Sequence, residues 1–240
     1  MKFRALMLLI CGLTGSLFAQ TASEVCLVEV ETAFQQVDAQ QLLASGKATR
    51  FDYRHVYTMR ADPEQKVVDS YGERMYADNL AYHDSPDALE VTDGKEAFNV
   101  RKQQFVIYRT KSSLKKAAMI PLADAGLFQH CTVRECHFIP SEKYDTLSYK
   151  RAYLTVNAEG QKKYQIENLE FITNPLDTTL ISVTVNFTAR SQYKNASYTI
   201  RSYEQGGAGM EVPESPAALI LRSDGSLNDD FKGYQLMDYR

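Results

Sequence analysis

The chain has 240 residues, with 27 Lys and Arg against 30 Asp and Glu, for a formal net charge of −3. So acidic a balance argues against a dedicated nucleic-acid binder, which would show a basic face. The 15 Tyr and 11 Phe, with no Trp, suit a strand-rich protein with a large core.

Residues 1–19 read as a secretory signal peptide. Lys2 and Arg4 open it, the apolar run from Ala5 to Leu13 is broken only by Gly12, and small residues follow to Ala19. Cys11 raises a lipoprotein alternative, against which Ile10, rather than a small residue, precedes it. Cleavage would remove Lys2 and Arg4 and leave 25 basic residues against 30 acidic ones. No later stretch reaches the ~20 apolar residues of a membrane helix. Residues 20–240 are expected to form one exported domain.

Thr21 to Ala44 reads as one long helix. Ser23 is placed to cap it, Gly46 to stop it, and Leu27, Val30, Phe34 and Val37 form an apolar stripe. From Lys47 the period changes to two: Phe51, Tyr53, His55 and Tyr57 alternate with Asp52, Arg54 and Val56. Strands follow at 67–75 and 79–82, and Ser85-Pro86-Asp87 turns into a hairpin about Asp93-Gly94-Lys95. After a second turn at 101–104, Phe105-Val106-Ile107-Tyr108 is apolar at every position, so both of its faces need cover.

Residues 112–140 interrupt the strands, with short helices expected at 114–118 and 123–128. Strands resume at 147–157, a Glu159-Gly160 turn, 163–173, 180–188 and 197–203. In the strand at 180–188, Ile181, Val183, Val185 and Phe187 face one way. A flexible excursion is expected at Gly206 to Gly209. A last hairpin is expected to join 217–222 to 233–239 through Ser223-Asp224-Gly225.

The run from His130 to His137 holds two Cys and two His. A disulfide between Cys131 and Cys136 is expected, with Cys26 as a buried thiol. Free thiols and a zinc site remain the alternatives, although adjacent ligands rarely converge on one tetrahedral centre. The loop from Asp224 to Asp230 has calcium-type oxygens but lacks the twelve-residue frame and its terminal Glu. No G-x-S-x-G elbow, H-E-x-x-H helix or phosphate-binding glycine loop occurs. The expectation is a protein without enzymatic activity, metal or cofactor.

Leu89-x-Val91-x-Asp93-Gly94-Lys95 with Phe98 beyond, set between an N-terminal helix and later strand pairs, resembles the periplasmic lipoprotein carriers of the LolA and LolB type. The resemblance implies an α+β, mainly antiparallel fold: an open half-barrel with an N-terminal helix and short lid helices on its concave face. It implies a periplasmic carrier that shields a lipid or lipoprotein acyl chain, with transient contact at a membrane surface. Arg74 matches the family's cavity-associated basic residue, but Glu73-Arg74-Met75-Tyr76 lacks the family's Pro and Trp. Phe105, Ile107, Ile181, Val183, Val185 and Phe187 are the positions expected to line the ligand site. The aromatic positions Phe51, Tyr53 and Tyr153 join them, with a plain hydrophobic core as the alternative. The second functional reading is an interaction subunit of a cell-envelope or secretion assembly, with its cavity filled and an envelope protein as partner.

Overall fold

In a computed structural model the described residues are 22–62, 64, 66–77, 79–112, 125–140, 148–206, 210 and 212–240. The expected signal peptide, the helix at 114–118, the start of the helix at 123–128 and most of the glycine run at 206–209 lie outside them. Strands β1 (Thr49–Met59), β2 (Val67–Ala77), β3 (Leu80–Asp84), β4 (Ala88–Thr92), β5 (Glu96–Arg101) and β6 (Val106–Lys111) come first. They are followed by β7 (Cys131–Pro140), β8 (Ser148–Val156), β9 (Ile166–Thr173), β10 (Leu180–Phe187), β11 (Tyr193–Gln205) and β12 (Gln235–Asp238). The helices are α1 (22–35), α2 (Ala39–Ser45), α3 (Ala158–Tyr164) and α4 (Pro216–Ile220). The fold is α+β and mainly antiparallel, as expected.

The contacts divide the chain into two compact units. One holds the described residues through Phe34 together with Ala125–Ser191. The other holds Gln35–Asp124, as far as it is described, and Gln192–Arg240.

Within the first unit the strands run in the order β10-β9-β8-β7, all antiparallel. One face carries Leu154, Leu169, Phe171, Val183 and Val185, each at most 1% exposed. Phe34 of α1 packs edge-on to Phe171 at 6.5 Å and to Phe128 at 5.5 Å. The buried stripe of α1 is Cys26, Val30, Ala33 and Phe34, and Leu27 is only half-buried. A Glu29–Lys150 ion pair adds a second tie between α1 and β8.

Several expectations are corrected here. The disulfide joins Cys26 to Cys136, with a Cα separation of 6.5 Å, and Cys131 is a free thiol. Cys131 and Cys136 both lie on β7, where they pair with Val156 and Ala152, four register steps apart on β8. Four steps at about 3.3 Å each exceed the ~7 Å Cα limit for a disulfide. With Cys136 oxidised, the four-ligand zinc arrangement is also excluded. The Glu159-Gly160 turn is the first turn of α3, capped by Asn157, whose side chain accepts from Gly160 N at 2.9 Å. On β10 a register irregularity between Leu180 and Ser182 puts Leu180 on the buried face and leaves Ile181 half-buried.

Within the second unit the strand order is β12-β6-β5-β4-β3-β2-β1-β11. The expected single helix from 21 to 44 is broken at 36–38. There the Asp38 carboxylate accepts from Gln41 N at 3.0 Å and starts α2 anew. Gly46, at φ 63°, ends α2 as expected.

The hairpin turn follows from its sequence. Asp93 Oδ1 accepts from the Lys95 and Glu96 N–H groups at 2.8 and 2.9 Å, and Gly94 takes φ 84°. The last segment is not a hairpin. Ser215 accepts from Ala218 N and Pro216 starts α4, while β12 pairs parallel with β6. Ile220 of α4 thereby joins Met75, Leu89, Val91, Phe98, Val100 and Ile107 in one core.

Candidate functional site

The strand register of the second unit builds a transverse trough. Antiparallel pairing sets Arg74, His83, Glu90, Asn99 and Tyr108 in one row across β2 to β6. The next row on the same face is Tyr76, Ala81, Thr92, Ala97 and Thr110. Two Ala and two Thr in that second row leave space where larger side chains would fill it. The result is a cavity of about 230 Å³ walled by Arg74, Tyr76, His83, Glu90 and Asn99. The opposite face of the same strands is the apolar core under α4.

Arg74 is the cation of this trough. Its Cζ lies 5.4 Å from the centre of the Tyr53 ring, and Tyr76 stands beside it in the cavity wall. Among the described residues no carboxylate forms an ion pair with it, and its Nε is sealed from solvent without a partner. Farther along the row, Asn99 Nδ2 donates to Glu90 Oε1 at 2.5 Å, and Asn99 Oδ1 is likewise sealed and unpartnered. Such groups each cost about 1–3 kcal/mol when left unsatisfied.

A shell of aromatic and imidazole groups fixes Arg74. The Tyr53 hydroxyl is hydrogen-bonded to His83 Nε2. Phe51 stacks on Tyr76 at 6.1 Å, and His55 stacks on Tyr198 at 4.1 Å with 7° between the planes. Burial, with the Arg74 charge second, pushes the His83 pKa down to about 3 and the His55 pKa down to about 4. Lys102 adds to the effect at His83. Both rings are therefore neutral near pH 7, and Arg74 stands as the cation in the wall. Burial also pushes the Tyr82 hydroxyl up to about 12.

The residues expected to line a ligand site divide between the units. Phe51, fully buried, and Tyr53 stand beside Arg74 in the second unit. Ile107 is fully buried in the core under α4. Phe105 is 58% exposed in a left-handed conformation at φ 54°, tilted against Tyr234 at 5.3 Å. The two faces of the 105–108 run are thus distinct: Ile107 meets the C-terminal core, and Tyr108 belongs to the trough row. In the first unit, Val183, Val185 and Phe187 are buried on the face that carries Phe171, while Tyr153 and Ile181 are half-buried.

Sequence reasoning reached Arg74 only through the resemblance, and it passed over Ala81, Glu90, Thr92, Ala97 and Asn99. A usable signal was present. Once the turn is fixed at Asp93-Gly94-Lys95, two-residue counting on either side pairs Thr92 with Ala97 and Glu90 with Asn99.

No family model matches the chain, and no curated protein does. Among solved structures, the chain is similar to the lipoprotein LppX of Mycobacterium tuberculosis at 8% identity and TM-score 0.39. That match covers 72% of this chain and 94% of LppX. A LolA superfamily protein from Nitrosomonas europaea matches at 9% identity and TM-score 0.32, over 70% of this chain and 93% of that one. An uncharacterized conserved protein from Thermus thermophilus matches at 6% identity and TM-score 0.42, over 84% of this chain and 99% of that one.

Proposed function

We propose that the protein is an exported, periplasmic, non-catalytic binding protein that shields the acyl part of a lipid or lipoprotein. The polar end of that ligand docks in the trough across β2 to β6. The observation that carries this reading is Arg74: a half-buried guanidinium that forms no ion pair among the described residues, beside a cavity whose floor is Ala and Thr. Burying a cation is costly unless hydrogen bonds and counter-charge complete its shell. An acyl chain needs little orientation, and each methylene it buries contributes about 0.8 kcal/mol.

Binding is favoured over catalysis by the state of the histidines. With pKa values pushed down to about 3 and about 4, His83 and His55 are poor proton carriers near pH 7. Loading such a ligand calls for brief contact with a membrane surface. The second reading, an interaction subunit, is favoured by one feature: the other face of β2 to β6 is already filled by Ile220 and its neighbours.

Native mass spectrometry of the protein purified from its host separates the two. One co-purifying amphiphile per chain supports the carrier. A stoichiometric protein partner, with no lipid, supports the subunit and contradicts the carrier.

A further inference from the structure

We infer that the free edge of β2 at residues 67–72 is a docking site for an extended segment of a partner protein, which adds there as one more antiparallel strand. This docking is independent of the ligand proposed above.

The strand register creates the edge. β2 lies beside β1 over residues 67–76 with no register irregularity. β3 has only five residues and pairs with 73–77, after which Ser85 and Pro86 lead the chain away into β4. Residues 67–72 therefore have a neighbouring strand on one side, and no described backbone group bonds to the other. Every second residue of a strand turns its N–H and C=O to a given side, so this edge is a row of donors and acceptors. Where β3 stops, an open notch of about 480 Å³ lies at the step, walled by Tyr71, Gly72, Asp84, Ser85, Pro86 and Lys102.

Two other edges are defended, and this one is not. β7, at the edge of the first unit, has a register irregularity between Val133 and Glu135, exposed Arg134 and Glu135, and a terminal Pro140. β12, at the edge of the second unit, has four residues. Bulges, charges, Pro and shortness are the means by which natural sheets refuse an added strand. Residues 67–72 contain no Pro and no irregularity, and their one charge, Asp69, is held by Arg54 at 2.7 and 2.9 Å.

An extended backbone is the occupant that fits, since it alone matches a row of backbone donors and acceptors at strand spacing. Side chains set its composition. Val67 and Tyr71 stand on one face of β2, 63% and 42% exposed, and favour a β-branched or aromatic residue beside them. Arg201 is the extra residue at the irregularity beside Asp52 and Tyr53, where β11 bulges. Its guanidinium lies 4.9 Å from the centre of the Tyr71 ring and forms no ion pair among the described residues. An acidic side chain on the incoming strand supplies its partner.

Amide hydrogen exchange of the full protein tests this, with and without a capped octapeptide that alternates Val and Thr about a central Glu. In the free protein alternate amides of residues 67–72 should exchange fast. Peptide at about 1 mM should slow them about tenfold or more. Its N-methylated counterpart, which keeps the side chains and lacks the donors, should leave them fast. Arg201→Ala should weaken the Glu peptide about fivefold and a Gln version not at all. Unchanged exchange at that concentration of peptide, or equal slowing by the N-methylated form, overturns the inference. So does slow exchange in the free protein, whether from a second copy, seen as the mass of a dimer, or from the chain itself.

Discussion

Gly72 stands opposite Tyr53 in the β1–β2 register, and a Cβ there would lie 2.5 Å from the Tyr53 hydroxyl and 2.7 Å from the Asp84 carbonyl oxygen. The missing side chain is what lets the hydroxyl reach His83 while the ring lies against Arg74. Gly72→Ala must displace either a ring that is nearly buried or a backbone carbonyl, at about 1–3 kcal/mol. Urea unfolding should show that loss with an unchanged m-value. A neutral or stabilising result would mean that Tyr53 is free to move.

The turn, most of the strands and much of the α1 stripe were legible because each depends on local chemistry: Asp93-Gly94, alternation from Phe51 to Tyr57, and three- and four-residue spacing; β7, at 131–140, was missed, since it lies in the stretch expected to interrupt the strands. The trough was not, because it depends on register summed over five strands. Ala81 and Ala97 carry no signal singly and become a floor only when pairing aligns them. The disulfide was misread for a related reason. Two cysteines five residues apart suggest a loop, whereas an extended strand holds them too far apart to bond. The final segment was misread because Ser223-Asp224-Gly225 marks a turn correctly but not what the turn connects. Ser215-Pro216 makes a helix start there instead.

The depressed histidines predict a pH dependence of stability. A group whose folded pKa lies below its unfolded value binds more protons when unfolded, so stability rises with pH across that interval. His83 moves from 6.5 to about 3 and His55 from 6.5 to about 4. Their contribution is complete above pH 6.5 and is lost as the pH falls toward 4 and then 3. Near pH 5 unfolding should take up about two protons from this pair, read as the slope of unfolding free energy against pH. His83→Phe should lower that slope by about one proton. An unchanged slope would show that His83 is protonated in the folded protein.

Cys26 and Cys136 close a span of 110 residues, so their bond should stabilise the folded protein by about 2–4 kcal/mol. Adding a phosphine reductant, or making Cys136→Ser, should lower the urea midpoint, while Cys131→Ser should leave it nearly unchanged. Peptide mapping without reduction should recover Cys26 linked to Cys136 and Cys131 alkylated. A Cys131–Cys136 linkage would contradict the fold of β7.

Ile220 is fully buried against β5 and its neighbours. Ile220→Ala should cost about 2–4 kcal/mol, the usual range for emptying such a site. A cost below about 0.5 kcal/mol would instead mark α4 as a detachable cover.

In the proposed binding protein, the polar end of the ligand sits at the row of Arg74 and Asn99 rather than on the apolar face of β9 and β10. Photolabelling tests it most directly, using an acyl amino acid with a diazirine beside its polar group and mapping the labelled peptides. Saturable labelling is expected within residues 74–110, concentrated at Ala81, Thr92 and Ala97 and suppressed by Arg74→Met. Labelling confined to residues 166–187, or unaffected by Arg74→Met, would contradict it.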